Sequence, residues 1–83
     1  MQIKGSIAIV TGAASGLGAA TAETLASAGA RIAAFDLNEE GAKATAEKLG
    51  GVGYGVDVSN AESVEQAVAK VQADLGTPSI LVN

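Results

Sequence analysis

The feature that most constrains the fold of this chain is an alternation of short apolar runs with longer helical patterns. The apolar runs cover residues 7–10, 32–35, 52–56 and 80–82, and the helical patterns fill the intervals between them. Continuous apolar runs are typical of strands that are buried on both faces of a parallel sheet. The order β-α-β-α-β-α-β therefore predicts an α/β fold, a doubly wound parallel sheet with helices on both faces.

No linker, repeat or shift in composition interrupts the chain, so residues 1–83 are predicted to form a single unit. The fourth apolar run has no helical pattern after it. A parallel strand as the last element would leave one edge of the sheet bare, which native proteins avoid. We therefore expect this unit to be a half-domain that is incomplete at its C-terminal end.

The segment between the first strand and the first helix has the spacing G-x-x-x-G-x-G, with its glycines at Gly12, Gly16 and Gly18. A glycine turn lets the backbone approach a phosphate closely, and the N–H groups of the following helix point at its charge. No Lys follows the last glycine, so the loop is not a P-loop. Three glycines alone could equally well relieve crowding at a strand–helix turn. Because a buried strand precedes them and an acidic residue ends the next strand, they predict nucleotide binding.

That acidic residue is Asp36. A carboxylate at the end of the second strand can accept hydrogen bonds from both hydroxyls of an adenosine ribose, and it would repel a 2′-phosphate. No Lys or Arg stands at positions 13, 14, 37 or 38, so the predicted cofactor is NAD. In the alternative interpretation Asp36 caps the second helix, although Asn38 is suited to that task.

Asp57 and Val58 follow the third strand, where a carboxylate could accept a hydrogen bond from an adenine and Val58 could form an apolar wall. In the alternative interpretation Asp57 serves only the turn before Ser59, and spacing alone favours this. Ser59 and Glu62 form a predicted capping box for the third helix. Tyr54 lies within a strand and has no Lys four residues later, so it is predicted to be a packing residue.

Composition excludes several kinds of partner and site. The net charge is −4 and the five basic residues are dispersed, which argues against binding of nucleic acid. The chain has no Cys and no His, so neither a disulfide framework nor a metal site is expected. No apolar run approaches the roughly 18 residues of a membrane span, and the start lacks the features of a signal peptide. We therefore expect a cytoplasmic protein with no membrane partner.

Taken together, these motifs resemble the N-terminal half of a short-chain dehydrogenase/reductase, a family with a Rossmann-type fold, over essentially all 83 residues. Asn83 matches the opening of the family's Asn-x-Ala-Gly motif. Within the family, the segments Ile9–Gly18 and Phe35–Asn38 are similar to the 3-hydroxyacyl-CoA dehydrogenase type 2 branch. The residues that the resemblance assigns to NAD binding are Gly12, Ser15, Gly16, Leu17, Gly18, Asp36, Leu37, Asp57, Val58 and Asn83.

The resemblance also implies a role for each of these residues. The three glycines shape the loop, while the Ser15 hydroxyl and the Leu17 N–H contact the pyrophosphate and ribose. Asp36 holds the adenosine ribose, with Leu37 beside the adenine. The residues after the third strand bind the adenine, which reverses the preference that spacing alone gives for Asp57. Asn83 contacts the adenosine side and steadies the central strands.

The family's catalytic Ser and its Tyr-x-x-x-Lys pair belong to later elements, so the resemblance implies that this sequence contains no catalytic residue. It implies the cofactor half of an NAD-dependent enzyme that transfers a hydride between NAD and a small alcohol or ketone, with 3-hydroxyacyl-CoA as one candidate substrate. It also implies a homo-oligomer, typically a tetramer. The alternatives are a non-catalytic NAD(H)-sensing module and, third, a flavin- or S-adenosylmethionine-binding fold.

Overall fold

The computed structural model describes residues 3–83, and strands alternate with helices within them. The strands are β1 (Ile7–Thr11), β2 (Arg31–Asp36), β3 (Val52–Gly55) and β4 (Ile80–Val82). The helices are α1 (Gly16–Ser27), α2 (Glu39–Leu49) and α3 (Ala61–Asp74). This order confirms the predicted alternation.

The four strands form one parallel sheet in the order β3-β2-β1-β4. The strand β1 lies between β2 and β4, with Val10 opposite Ala34 on one side and Val82 on the other. Because all four strands run in the same direction, their carboxyl ends share one edge of the sheet. That edge carries the loop after β1 and the residues that follow the other three strands.

Different helices cover the two faces of the sheet. On one face, α1 and α2 pack on β1 and β2 through small buried residues, among them Ala8, Ala22, Ala34, Ala42 and Ala46. On the other face, α3 packs on the sheet through a second buried cluster that includes Ile9, Phe35, Tyr54, Ala67 and Val71. The sheet is therefore doubly wound, as predicted, and the fold is α/β of the Rossmann type.

Asparagine side chains cap two of the three helices. Asn38 caps α2, as predicted. The predicted cap of α3 at Ser59 is wrong by one residue, since the side chain of Asn60 accepts the Ser63 N–H at 3.0 Å. Ser59 is used elsewhere, because its N–H and its hydroxyl both donate to the carboxylate of Asp57.

Glycine allows α2 to lie directly on the edge strand β3. A Cβ at Gly53 would stand 2.5 Å from the Cα of Lys43 and 2.6 Å from the carbonyl carbon of Ala42. No side chain fits in that space, so the helix backbone contacts the strand backbone. This close approach fixes the position of α2 relative to the carboxyl edge of the sheet.

Tyr54 joins β3 to α3. Its ring makes an edge-to-face contact with Phe35, with the ring centroids 5.6 Å apart, and its hydroxyl donates to a carboxylate oxygen of Asp74 at 2.9 Å. Burial and the neighbouring Asp74 raise the pKa of Tyr54 above its ordinary value of 10.0. The side chain is buried, in agreement with its predicted packing role.

The raised pKa of Tyr54 makes stability depend on pH. The folded protein binds this proton more tightly than the unfolded chain, so the contribution is complete below about pH 10 and declines as the pH rises above it. We expect the free energy of unfolding to fall above about pH 10 more steeply for the wild type than for Tyr54→Phe. Urea denaturation of both proteins between about pH 8 and pH 11 measures this difference. Equal slopes in the two proteins would contradict it.

Candidate functional site

The residues assigned to the site by sequence lie at or beside the carboxyl edge of the sheet. The glycine loop follows β1, and the remaining residues follow or end the other strands: Asp36, Leu37, Asp57, Val58 and Asn83. In open α/β sheets, ligands bind outside the carboxyl ends of the strands, at the point where the strand order reverses. Here that point lies between β1 and β4, because β2 flanks β1 on one side and β4 on the other.

Hydrogen bonds within the glycine loop fix its shape. Gly12 has a φ of +65°, a conformation that side chains disfavour. Ser15 caps α1, since its hydroxyl donates to the Gly12 carbonyl oxygen at 2.7 Å and accepts the Gly18 N–H at 3.2 Å. A hydroxyl has a single proton, so a hydrogen bond from Ser15 to a phosphate would replace the one to Gly12.

The two glycines of α1 have different surroundings. A Cβ at Gly18 would overlap the Gly12 carbonyl oxygen and stand 2.6 Å from the carbonyl carbon. Within the part of the chain that the structure describes, a Cβ at Gly16 would meet no atom within 4 Å. The packing of α1 on the loop therefore requires a glycine at position 18, whereas no described residue requires one at position 16. The open space at Gly16 fits a ligand that approaches the backbone closely.

The N-terminus of α1 offers free backbone donors beside that space. Within residues 3–83, the N–H groups of Gly16 and Leu17 donate to no acceptor. The first turn of α1 contains no acidic residue, whereas α2 begins with Glu39 and Glu40. Free N–H groups at a helix N-terminus, together with the helix dipole, favour an anion such as a phosphate.

The carboxylate of Asp36 links the end of β2 to the glycine loop. One oxygen accepts the Ala14 N–H at 2.9 Å, and the other accepts the Asn38 N–H at 2.9 Å. The alternative role of Asp36 as the cap of α2 is wrong, because Asn38 is the capping residue. Each carboxylate oxygen of Asp36 keeps a lone pair that can accept a further hydrogen bond.

Asp57 is exposed and belongs to the turn that precedes α3. One of its carboxylate oxygens accepts both the Ser59 hydroxyl, at 2.6 Å, and the Ser59 N–H, at 3.0 Å. These hydrogen bonds hold the pKa of Asp57 below its ordinary value of 3.8. The turn role that spacing favoured is therefore present. Among the described residues, the second oxygen of Asp57 accepts no hydrogen bond.

Large apolar side chains stand exposed around the same edge. Leu17 is 82 % exposed, Leu37 is 77 % exposed and Val58 is 59 % exposed. Ligand sites combine apolar walls with a few polar groups that fix orientation. These three side chains, placed around the glycine loop and the two carboxylates, give the edge that combination.

Two concave regions meet at Thr11 and Asn83. The smaller, of about 220 Å³, is lined by loop residues that include Gly12, Ser15, Leu17 and Gly18. The larger, of about 490 Å³, lies on the α3 side and reaches Val58. The structure thus brings the loop together with Asn83, and Asn83 together with Val58. Asp36, Leu37 and Asp57 line neither region.

The sequence analysis missed residues of α2 that hold the glycine loop. The Thr45 hydroxyl donates to the Ala13 carbonyl oxygen at 2.9 Å. A Cβ at Gly41 would stand 2.6 Å from the Cβ of Ala14, so α2 also contacts the loop directly. The signal available in the sequence was Thr45 itself, a polar residue on the apolar side of the helix beside Ala46.

The family described as short chain dehydrogenase matches residues 6–83. The chain belongs to this family. Membership confirms the family predicted from the glycine loop and the strand-end residues, and it agrees with the Rossmann-type sheet.

Curated short-chain dehydrogenases match the chain over nearly its whole length. A D-threitol dehydrogenase of Mycolicibacterium smegmatis is 52 % identical over 99 % of this chain and 34 % of the relative. The 3-oxoacyl-(acyl-carrier-protein) reductase FabG of Escherichia coli is 42 % identical over 100 % of this chain and 35 % of the relative. A 2,3-dihydro-2,3-dihydroxybenzoate dehydrogenase of Bacillus subtilis is 40 % identical over 98 % of this chain and 33 % of the relative. The chain spans about a third of the length of these curated relatives.

The three relatives are named as dehydrogenases or reductases, each with a different substrate in its name. Members of the short-chain dehydrogenase family bind nicotinamide cofactors, so an oxidoreductase cofactor-binding unit is the role that the family supports. None of the helices within residues 3–83 is long and apolar enough to cross a membrane.

Proposed function

We propose that this chain is the cofactor-binding part of an NAD-dependent short-chain oxidoreductase that transfers a hydride between a secondary alcohol and NAD. The observation that carries the proposal is the placement of Asp36, which the Ala14 N–H ties to the glycine loop. Its two oxygens keep lone pairs for two hydroxyls of a ribose. The neighbouring positions are occupied by Ala13, Ala14, Leu37 and Asn38, none of which carries a cation for a 2′-phosphate.

The proposed pyrophosphate site is the first turn of α1. The free N–H groups of Gly16 and Leu17 are donors for phosphate oxygens, and the open space at Gly16 leaves room for the group. Gly12 and Gly18 keep the loop close to the helix. Ser15 would contribute its hydroxyl by exchanging its hydrogen bond to the Gly12 carbonyl oxygen for one to a phosphate oxygen.

The proposed adenine site lies between the ends of β2 and β3. The exposed side chains of Leu37 and Val58 would form apolar walls for the ring. The second carboxylate oxygen of Asp57 would accept the amino group, while Ser59 holds the first. Asn83, which joins the two concave regions, would contact the adenosine side.

When bound, NAD supplies the carbon that accepts or donates the hydride, and the protein supplies binding and orientation. Transfer from an alcohol also requires a group that takes up the hydroxyl proton. Tyr54 is the single tyrosine of the chain, and it is buried and hydrogen-bonded to Asp74. We therefore propose no catalytic residue in this chain, and we place the catalytic Ser and Tyr-x-x-x-Lys in the remainder of a longer protein, called the full-length protein below.

The proposed substrate is a small secondary alcohol or the corresponding ketone. The resemblance of the glycine loop and the segment around Asp36 to the 3-hydroxyacyl-CoA dehydrogenase type 2 branch makes 3-hydroxyacyl-CoA the specific candidate. The relatives' names point to other substrates, so the test needs a panel. The resemblance to the family supports a homo-tetramer, and the proposed location is the cytoplasm.

Two assays of the full-length protein test the function. Calorimetric titration with NAD measures binding, and formation of NADH measures turnover with a panel that contains 3-hydroxybutyryl-CoA, D-threitol and simple secondary alcohols. We expect saturable NAD binding and NADH formation with at least one alcohol. Binding without turnover on any alcohol would favour a sensing module instead. Absence of NAD binding would contradict the proposed function.

A further inference from the structure

The peptide group between Ala13 and Ala14 is held at both ends by side chains from distant elements. Its carbonyl oxygen, on Ala13, accepts the hydroxyl of Thr45 at 2.9 Å. Its N–H, on Ala14, donates to the carboxylate of Asp36 at 2.9 Å. Since a peptide group is planar, its carbonyl and its N–H cannot turn independently. The two side chains therefore fix one orientation together.

We infer that Thr45 is a positioning residue for NAD, acting through this peptide group on the carboxylate of Asp36. The inference rests on the proposed function and adds to it a residue of α2. Without the Thr45 hydroxyl, the Ala13 carbonyl loses its protein donor and turns toward water. The Ala14 N–H then turns with it, away from the Asp36 oxygen.

Loss of the hydrogen bond from the Ala14 N–H changes how the Asp36 carboxylate is oriented for a ribose. With the Ala14 N–H in place, both carboxylate oxygens are engaged, one by the loop and one by the Asn38 N–H, and the group has one orientation. With the loop bond gone, only Asn38 holds it, and the carboxylate is free to rotate. A ribose that needs both oxygens at once must then reorder the group on binding, which lowers affinity.

The environment of Thr45 suits this role. The side chain is half-buried and follows the segment where α2 lies directly against the loop, at Gly41 and Ala14. The other threonines with described hydroxyl bonds in helices behave differently: those of Thr21 and Thr24 donate to carbonyl groups of their own helix, α1. Of these three threonines, only Thr45 donates its hydroxyl to a residue outside its own helix.

The first test needs no cofactor. Hydrogen exchange at the Ala14 N–H of the full-length protein is compared in the wild type, Thr45→Val, Thr45→Ser and the control Thr24→Val. We expect Ala14 exchange to be about tenfold faster in Thr45→Val, since a hydrogen bond of about 1.4 kcal/mol corresponds to that factor. Thr45→Ser restores the wild-type rate because it keeps the hydroxyl, and Thr24→Val leaves it unchanged.

The second test connects the bond to binding. Calorimetric titration is expected to show NAD affinity about tenfold lower in Thr45→Val and near wild type in Thr45→Ser. In turnover, the loss is expected in KM for NAD with kcat nearly unchanged. In an Asp36→Ala background, Thr45→Val is expected to lower NAD affinity almost no further, because the carboxylate through which Thr45 acts is absent.

The outcomes separate the inference from the function on which it rests. Unchanged Ala14 exchange in Thr45→Val overturns the inference, and so does unchanged NAD affinity. A full additional loss in the Asp36→Ala background also overturns it, because Thr45 would then act by another route. If the wild type fails to bind NAD, the proposed function fails, while the exchange measurement still decides whether Thr45 orients the peptide group.

Discussion

Gly18→Ala is expected to weaken NAD binding by the full-length protein at least about a hundredfold, or about 2.8 kcal/mol. The added Cβ would overlap the Gly12 carbonyl oxygen and stand 3.1 Å from the Cα of Ala13. Both neighbours are backbone atoms, so the loop itself must move away from α1. That movement separates the loop from the free N–H groups of the helix. Calorimetric titration with NAD measures the loss.

Gly16→Ala is the matched variant, with the same added methyl group two residues earlier in the helix. No atom of residues 3–83 lies within 4 Å of its Cβ, so the melting temperature is expected to stay within about 2 °C of the wild type. NAD affinity is nevertheless expected to fall about tenfold, since the methyl group enters the space proposed for the pyrophosphate. If Gly16→Ala binds NAD as well as the wild type, that space is not the ligand site. If Gly18→Ala binds normally, the close approach of loop and helix is not needed.

Asp36→Asn is expected to abolish the preference of the full-length protein for NAD over NADP. If NADP binds to the wild type, the carboxylate faces its 2′-phosphate, which has a charge near −2. Each pair of unit charges 4 Å apart repels by about 4 kcal/mol at an effective dielectric of about 20. Even after a generous discount for solvent, NAD is expected to be preferred at least about a hundredfold. The amide keeps an oxygen for the Ala14 N–H while removing the charge. The ratio of kcat/KM for the two cofactors measures the change.

Two further variants sharpen this test. Leu37→Arg added to Asp36→Asn supplies a cation beside the ribose and is expected to tip the preference toward NADP. Asp57→Ala is the matched control at the other carboxylate. It is expected to weaken the binding of NAD and of NADP equally, because both cofactors contain adenine. Equal use of both cofactors by the wild type, or an unchanged ratio in Asp36→Asn, would show that Asp36 does not contact the ribose.

The elements that the sequence predicted correctly are those decided by neighbouring residues. Apolar runs of three to five residues marked the strands, and the helical patterns between them marked the helices. The cap of α3 shows that a single hydrogen bond can determine which of two neighbouring residues caps a helix. Ser59 and Asn60 are both good capping residues, and Asp57 decided between them by engaging the Ser59 hydroxyl.

The contacts that the sequence could not predict join residues far apart in the chain. The hydrogen bond from Ala14 to Asp36 spans 22 residues, and the one from Thr45 to Ala13 spans 32. Neither follows from a spacing rule, because the first depends on how the loop lies against the end of β2 and the second on how closely α2 approaches the loop. Asp36 ends β2, as the sequence predicted, and the structure alone shows that its carboxylate is already oriented by the loop.

The most direct test of the proposed site is a titration of the ¹⁵N-labelled full-length protein with NAD, followed by the amide signals. The signals of Gly16 and Leu17, whose N–H groups are free, and that of Ala14 are expected to shift together and to saturate with one dissociation constant. NADP at the same concentrations is expected to move them far less. If NAD binds while these three signals stay in place, or if no signal responds, the glycine loop and Asp36 do not form the cofactor site.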